Sequence, residues 1–255
     1  MFDAPSAARR IIALPLVLMA ALMLSWARPV ASAQASAAPS DVGVQPFAAS
    51  YAVVFRGFNA GTSSLELVRE NGDRWRYVSR NHAHGLFRLA LPGEIRQTSV
   101  LTIDESGVRP LRYAADDGTD STQRDIRLEF DWSAGRVRGV AEEKPVDLPT
   151  TAGLQDGMSV QLALMRALSR GESPTGYSLI DKDEIKEYRY DFEGRSRVQT
   201  VAGELDAVIW SSHRPNSNRI TRVWYAPSLG YLPVQAERRK GDTVEWSMRL
   251  KTWRR

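Results

Sequence analysis

The stretch DIRLEF at residues 125–130 carries the pattern that decides the fold. Its apolar side chains, Ile126, Leu128 and Phe130, alternate with charged side chains at the positions between them. Because successive side chains of a β-strand point to opposite faces, this alternation predicts a strand with one buried face and one face in water. An amphipathic helix would instead repeat its apolar residues at intervals of three and four.

The same period of two continues on both sides of this stretch. Residues 94–103 read EIRQTSVLTI, and Asn71-Gly72 is a strong hairpin signal because both residues tolerate positive φ. Turn residues recur between the alternating segments, and together they predict about twelve strands. The predicted strands are 51–55, 65–67, 75–77, 95–103, 126–130, 137–140, 188–192, 198–201, 205–210, 220–226, 232–238 and 244–253. The sequence therefore predicts a mainly β protein, a curved antiparallel sheet or incomplete β-barrel with one packed α-helix.

The helix is predicted at residues 156–170, where the period changes. Met158, Leu162 and Met165 follow one another at helical spacing, and a second apolar stripe lies beside them. Asp156 can cap the N-terminus, and Gly171 can end the helix. A helix with so wide an apolar arc is expected to be largely buried, as a plug or lid across the curved sheet. If the sheet encloses a cavity, we expect Met158, Leu162 and Met165 to line it.

The N-terminal segment predicts export. Arg9-Arg10 precedes an apolar run at residues 11–27, and Ala31-Ser32-Ala33 supplies the small-residue pattern of a signal peptidase site. Residues 1–33 are therefore predicted to be a signal peptide, with cleavage after Ala33. The alternative is an uncleaved membrane anchor, but the run is short for a span and contains Pro15. This pattern predicts a periplasmic protein, soluble after cleavage and without a transmembrane segment.

The rest of the chain fits one domain. Residues 34–46 are rich in Ala, Ser and Pro and are predicted to be a flexible leader to a single β-rich domain at 47–255. The chain has no Cys, which excludes disulfides, thiolate metal sites and lipid attachment at a Cys. Without residues 1–33, Lys+Arg falls from 34 to 31 and Asp+Glu from 30 to 29, a net charge of +2. So small a charge argues against nucleic acid as a partner.

A set of landmarks resembles a known family. The landmarks are Gly61, Gly107 with Pro110, Phe130-Asp131-Trp132, Leu148-Pro149 with Asp156 and Ser159, and Trp224-Tyr225-Ala226-Pro227 with Leu232-Pro233-Val234. Their order and spacing resemble the bacterial secreted family catalogued as domain of unknown function 3108 (DUF3108), over about residues 47–253. The resemblance implies export and a β-rich fold, but no assigned activity, catalytic residues or cofactor. A looser likeness in fold is to periplasmic lipoprotein carriers and receptors, and fold does not fix function.

Histidines offer a weak metal motif. His82 and His84 have a spacing usable for a metal, and a third ligand would have to come from His213 or Glu94. The more ordinary interpretation is a solvated loop next to Gly85. Among acidic residues, 116–120 could bind Ca²⁺ but does not match the twelve-residue loop of a calcium-binding helix pair. We therefore predict no metal site and no cofactor.

Ser159 is the one candidate nucleophile that the sequence singles out. It follows Asp156 at the predicted helix start, but the local sequence lacks the Gly-x-Ser-x-Gly pattern of a nucleophile elbow. Both side chains suit capping positions at a helix N-terminus. No catalytic residue is therefore predicted.

The sequence leaves three functions open. The first is binding or carrying a hydrophobic or amphiphilic ligand of the cell envelope, which the strands, the apolar helix and the predicted export favour. The second is a non-catalytic envelope structural or assembly factor that binds another protein, which an exposed apolar patch without an interior pocket would favour. The third is a hydrolase, which needs a base within hydrogen-bond reach of a Ser in a cleft.

Overall fold

The computed structural model describes residues 43–201 and 203–255, and they form one antiparallel sheet of 14 strands around one long helix. The strands of the first half are β1 (Phe47–Phe55), β2 (Phe58–Arg69), β3 (Arg74–Ala83), β4 (Glu94–Asp104), β5 (Gly107–Asp116), β6 (Ile126–Asp131), β7 (Arg136–Ala141) and β8 (Lys144–Pro149). Those of the second half are β9 (Gly176–Asp181), β10 (Glu184–Thr200), β11 (Gly203–His213), β12 (Arg219–Ala226), β13 (Leu232–Lys240) and β14 (Thr243–Arg254). The helices are α1 (Phe87–Ala90), α2 (Ser159–Ser169) and a 3₁₀ turn at Pro227–Leu229.

The sheet consists of two meanders joined at its centre. Strands β1 to β8 pair in chain order on one side, and β14 back to β9 pair in order on the other. The two meanders meet where β1 pairs with β14, from Ala48 opposite Arg254 to Phe55 opposite Trp246. Helix α2 lies in the connection from β8, at one edge of the sheet, to β9, at the other.

The two edges approach each other without pairing as strands. Gln155, just before α2, forms a parallel bridge with Leu179 of β9, donating to Ser178 and accepting from Ile180 at 2.9 Å each. Two ion pairs join the β7–β8 turn to the β9–β10 turn: Lys144 with Asp183 at 3.1 Å and Lys182 with Glu142 at 2.6 Å. The sheet therefore curves into an incomplete barrel, and the prediction of a curved antiparallel sheet is confirmed.

Helix α2 packs across the inside of this curved sheet. Leu162 and Leu164 are almost completely buried in the core, which they share with Tyr51, Leu101 and Leu250 of the sheet. At its C-terminal end Arg166 donates through Nη2 to the carbonyls of Asp104 and Glu105 in the β4–β5 turn, at 2.9 and 2.8 Å. Gly171 has the left-handed φ of +73° and ends the helix, as the sequence predicts.

The sequence and the structure differ in two details. The sheet has 14 strands where about twelve are predicted, because β5, β8 and β9 are not predicted and 188–192 and 198–201 belong to one strand, β10. The short helix α1, between β3 and β4, is not predicted by the sequence. Within residues 43–201 and 203–255, no helix is long and apolar enough to cross a membrane.

The predicted signal peptide, residues 1–33, lies outside the described residues, as does most of the predicted leader. The structure begins to describe the leader at Gly43, and Val44, which follows, is buried in the core with 2% of its surface exposed.

Candidate functional site

The alternation of the strands places one row of side chains inside the curved sheet. Tyr51 of β1 is fully buried, so Val53 and Phe55, two and four residues later, share its inward face. Register pairing extends this inner face across Gly61 and Ala83 on one side of Val53, and across Trp246, opposite Phe55, on the other. These positions lie at one end of the sheet, which we call the α1 end, near the turns at 56–57, 84–93 and 241–242.

The inner face at the α1 end is not filled by core side chains and lines a pocket of about 460 Å³ that is open to solvent on one side, which we call the cavity. Helix α1 and the residue after it cover one side through Phe87 and Leu91, and the rings of Phe55 and Phe87 meet edge to face at 6.0 Å. Most lining side chains are apolar, so the cavity suits an apolar occupant. It is lined by Val53, Phe55, Ala60, Gly61, Thr62, Asn81, His82, Ala83, Phe87, Leu91, Ile95 and Trp246.

Large apolar side chains are also exposed around the cavity. Phe58, opposite Phe55 in the β1–β2 hairpin, is 69% exposed, and Leu86 and Leu89 at α1 are 83% and 84% exposed. Each is far more exposed than the core residues of the sheet. Exposed apolar groups gathered at one end of a β-sheet are typical of a surface that meets an apolar molecule.

Away from the α1 end, the inner face of the sheet carries buried polar side chains among its apolar ones. Ser63, Ser79 and Ser99 are buried on it, and Asn81 donates to the Ser79 hydroxyl at 3.2 Å. Burial also holds the pKa values of several tyrosines well above their ordinary value, so these phenols stay neutral. Tyr51 donates to the Pro233 carbonyl at 3.0 Å. The barrel interior thus contains satisfied hydroxyl groups between the cavity and α2.

Asp156 is the most deeply buried carboxylate of the described chain. It has no exposed surface, and burial raises its pKa from 3.8 to about 6. Its two oxygens accept hydrogen bonds from the Ser99 hydroxyl at 2.6 Å and from the backbone amides of Met158 and Ser159 at 2.7 Å. Asp156 therefore fixes the start of α2 to strand β4, as a cap rather than as part of an open cleft.

Two arginines stand over aromatic rings of the cavity wall. The guanidinium of Arg56 lies 5.4 Å from the centre of the Phe55 ring, and that of Arg238 lies 5.6 Å from the centre of the Trp246 ring. Arg238 also donates through Nε to the Thr221 hydroxyl at 3.2 Å. Since Phe55 and Trp246 are register partners, the two positive charges flank one stretch of the wall.

The helix residues predicted to line a cavity lie elsewhere. Met158, Leu162 and Met165 are 6%, 0% and 2% exposed and belong to the packed hydrophobic core. None of them is among the side chains that line the cavity at the α1 end. A contact between these three residues and a ligand stays a prediction.

The structure does not gather the histidines into one group. His82 lines the cavity and pairs with Glu94 at 3.0 Å, whereas His84 is exposed beyond the end of β3. His213 lies on β11, 3.5 Å from Asp191. Across the described ranges, the only three potential metal ligands that come together are Asp116, Asp117 and Asp125.

This acidic group is already neutralised in part by arginine. Asp117 pairs with Arg124 at 2.7 Å, and Asp125 pairs with Arg127 at 2.9 Å. Two of the three carboxylates thus have a guanidinium partner, which competes with any cation for the same oxygens.

Ser159 is fully buried at the start of α2. Its hydroxyl accepts a hydrogen bond from the backbone amide of Asp156 at 2.9 Å, while its own amide donates to the Asp156 carboxylate. The two residues thus cap the helix reciprocally, as the capping interpretation of the sequence expects.

The cavity residues themselves are not predicted by the sequence. One signal for them is that the apolar alternation of β1 and β14 continues to the strand ends next to the turns, at Phe55 and Trp246. Strand ends that face only water do not need large apolar side chains. A second signal is the apolar Leu86-Phe87 and Leu91 in the connection between β3 and β4.

Comparisons with known proteins extend over most of the chain. The family model described as protein of unknown function (DUF3108) matches residues 50–242. No curated protein sequence matches the chain. Among solved structures, the chain is similar to a β-barrel-like protein of domain of unknown function DUF1849 from Brucella abortus, with 14% identity, 82% of this chain and 96% of that chain covered, and a TM-score of 0.50.

Two further structures share less of the geometry. One is a protein from Parabacteroides distasonis provisionally described as a lipoprotein, with 9% identity, 83% and 96% coverage and a TM-score of 0.32. The other is a protein from Bacteroides fragilis provisionally described as exported, with a YmcC-like fold, 11% identity, 83% and 97% coverage and a TM-score of 0.32. At these identities the likeness to the Brucella protein concerns the fold alone.

Proposed function

We propose that this chain, which belongs to the DUF3108 family of proteins of unknown function, binds a hydrophobic or amphiphilic ligand of the cell envelope in the cavity at the α1 end. The observation that carries the proposal is the cavity itself. Its volume of about 460 Å³ lies within the range of small-molecule sites, and its wall is built mainly from apolar and aromatic side chains.

The proposal that the protein acts in the cell envelope rests on the predicted signal peptide at residues 1–33. Envelope compartments contain lipids and other amphiphiles, whose apolar parts need shelter from water when they leave a membrane. A cavity at the mouth of an incomplete barrel supplies such shelter while the polar part of the ligand stays in water.

The cavity favours binding over the other two functions. An assembly factor would need an exposed apolar patch and no interior pocket, whereas here the exposed Phe58, Leu86 and Leu89 lie around a pocket. A hydrolase based on Ser159 would need that hydroxyl in a cleft, but it is fully buried and hydrogen-bonded as a cap. The apolar wall therefore supports a ligand site more than a docking face or a reaction centre.

The proposal predicts that affinity grows with the length of an alkyl chain. Each methylene that enters the cavity is worth about 0.8 kcal/mol, which is about fourfold in the dissociation constant. We expect this increment for a series of linear alcohols until the cavity is full, after which the affinity levels off. Isothermal titration calorimetry with the purified protein measures it, and native mass spectrometry of protein from an envelope extract tests for a retained lipid. Alkyl compounds that bind at no chain length, whether neutral alcohols or charged amphiphiles, would overturn the proposal.

A bulky side chain in the wall is expected to block the site. Ala83 lies on the inner face beside Gly61, so Ala83→Trp places an indole in the cavity and should weaken binding of the best alcohol at least tenfold. The matched control is Val140→Trp, at a position of β7 that is 47% exposed and outside the cavity. Thermal unfolding of both variants checks that they fold. Equal affinities of the two variants would contradict the location of the site.

A further inference from the structure

We propose that the ligand is anionic, an amphiphile whose negatively charged oxygens are held by Arg238 and Arg56 while its alkyl chain enters the cavity. This inference rests on the proposed function and names the chemical class of its ligand. It is carried by two guanidinium groups that flank the cavity wall and form no ion pair within 4.0 Å in the described part of the chain.

Arg238 faces the inside of the curved sheet. Ala236, two residues earlier on β13, is almost completely buried, so Arg238 shares its face and lies opposite Trp246 in the β13–β14 pairing. The side chain is held by the Trp246 ring and by its hydrogen bond to Thr221. These contacts engage Nε and one face of the guanidinium and leave the terminal N–H groups to donate to an anion.

Arg56 approaches the same stretch of wall from the other side. It belongs to the two-residue turn between β1 and β2, and its backbone amide donates to the Glu245 carbonyl at 3.1 Å. Its guanidinium lies over Phe55, the register partner of Trp246. Both charges therefore stand over neighbouring rings that line the cavity, at the level where a ligand would leave it.

Most neighbouring arginines form ion pairs at 4.0 Å or less, and these two do not. Arg219 pairs with Glu245 at 3.1 Å, Arg222 with Glu237 at 3.6 Å, and Arg239 with Glu237 at 3.5 Å. Within the part of the chain that the structure describes, no carboxylate oxygen lies within 4.0 Å of the guanidinium nitrogens of Arg56 or Arg238. The nearby Glu245 carboxylate accepts three hydrogen bonds from Arg219, and these bonds together with the charges of Arg219 and Arg238 lower the pKa of its carboxyl.

The arrangement matches an anionic amphiphile. A guanidinium offers a planar fork of donors that fits the two oxygens of a carboxylate or the oxygens of a phosphate. A neutral head would leave both charges without a partner, and a cationic head would be repelled by them. The shared chemistry is thus an anionic oxygen headgroup on a single alkyl chain.

The test compares headgroups on one chain length. Calorimetry measures the dissociation constants of an alkyl carboxylate, an alkyl phosphate, the alcohol and the alkyl trimethylammonium salt, each below its micelle concentration. We expect the wild type to bind at least one of the two anions at least tenfold more tightly than the alcohol, with the trimethylammonium salt weakest. Preference for the carboxylate or for the phosphate then identifies the headgroup.

Variants connect this preference to the two arginines. In Arg238→Gln with Arg56→Gln, the ratio of anion to alcohol affinity should fall close to one, and each single variant should lose part of it. Arg239→Gln, whose side chain pairs with Glu237, is the matched control and should keep the wild-type ratio. Wild-type protein that binds the alcohol as tightly as both anions would overturn this inference but leave the proposed function intact. Failure of all four compounds to bind would overturn both.

Discussion

Asp156→Asn is expected to gain stability relative to the wild type by about 3 kcal/mol as the pH rises from about 4 to about 7. The reason is the burial of the Asp156 carboxylate, which raises its pKa in the folded protein to about 6 from an ordinary value of 3.8. One pKa unit corresponds to about 1.4 kcal/mol, which sets the size of the effect.

The sign follows from where the proton is bound. Below about pH 4 the carboxyl is protonated in both the folded and the unfolded chain, so it adds no pH dependence. Between about pH 4 and pH 6 the unfolded chain has lost the proton while the folded chain retains it, and rising pH therefore favours unfolding. Above about pH 6 the carboxyl is ionised in both the folded and the unfolded chain, so the loss of folding stability has reached its full size and no longer changes with pH. Asparagine does not titrate, so only the wild type has this loss.

Urea unfolding of both proteins across this pH range measures the difference in the free energy of unfolding. Other carboxylates with lowered pKa values act in the opposite direction, but they are present in both proteins and cancel in the difference. The matched control is Asp131→Asn, whose exposed carboxyl has a lowered pKa because Ser133 donates to it. Its stability relative to the wild type should fall as the pH rises. A flat difference for Asp156→Asn would show that this carboxylate ionises normally.

Gly61→Ala is expected to destabilise the fold by about 3 kcal/mol or more. A Cβ at position 61 would lie 2.0 Å from the backbone carbonyl oxygen of His82 on the paired strand β3. That oxygen belongs to the main chain and cannot turn away as a flexible side chain could. The added methyl group can be accommodated only if β2 and β3 separate, and this would also distort the wall of the cavity.

The midpoint of urea unfolding measures this cost. Gly157→Ala is the matched control, because a Cβ there would approach only the hydroxyl end of Tyr113, at 3.4 Å. We expect the control to change the free energy of unfolding by less than about 1 kcal/mol. A similarly small change for Gly61→Ala would mean that the two strands do not approach as closely as described. Gly61, one of the residues on which the family resemblance rests, thus has a steric reason to lack a side chain.

The sequence predicts the fold well because its main signal is local. Alternation such as Ile126, Leu128 and Phe130 follows directly from the geometry of a strand, and the change of period at residues 156–170 follows from that of a helix. Helix α1 escapes prediction because four residues are too few to show a period. Strand β10 is predicted as two strands because Gly194 interrupts the pattern, but the structure accommodates it as a bulge after Phe192.

The candidate site is less predictable because it is made by pairing between distant residues. Phe55, Ala83 and Trp246 meet through the register of four strands, and no local pattern shows which end of the inner face stays unfilled. The wide apolar arc of α2 suggests a cavity at Met158, Leu162 and Met165, yet the sheet packs closely around them. Apolar side chains on a buried helix usually fill a core rather than line a pocket.

The pairing of β1 with β14 has a kinetic consequence. Every other strand pair joins strands that are neighbours along the chain, and such pairs can form early in folding because little chain entropy is lost when they meet. The β1–β14 pair instead joins residues as far apart in sequence as Ala48 and Arg254. Each half of the sheet can therefore form its own hydrogen-bonded strands while the backbone N–H and C=O groups at the edges of β1 and β14 stay unpaired and able to bind another strand. Strand β14 must therefore find β1 before the two half-sheets become one molecule, and until then either edge can pair with a strand of another chain.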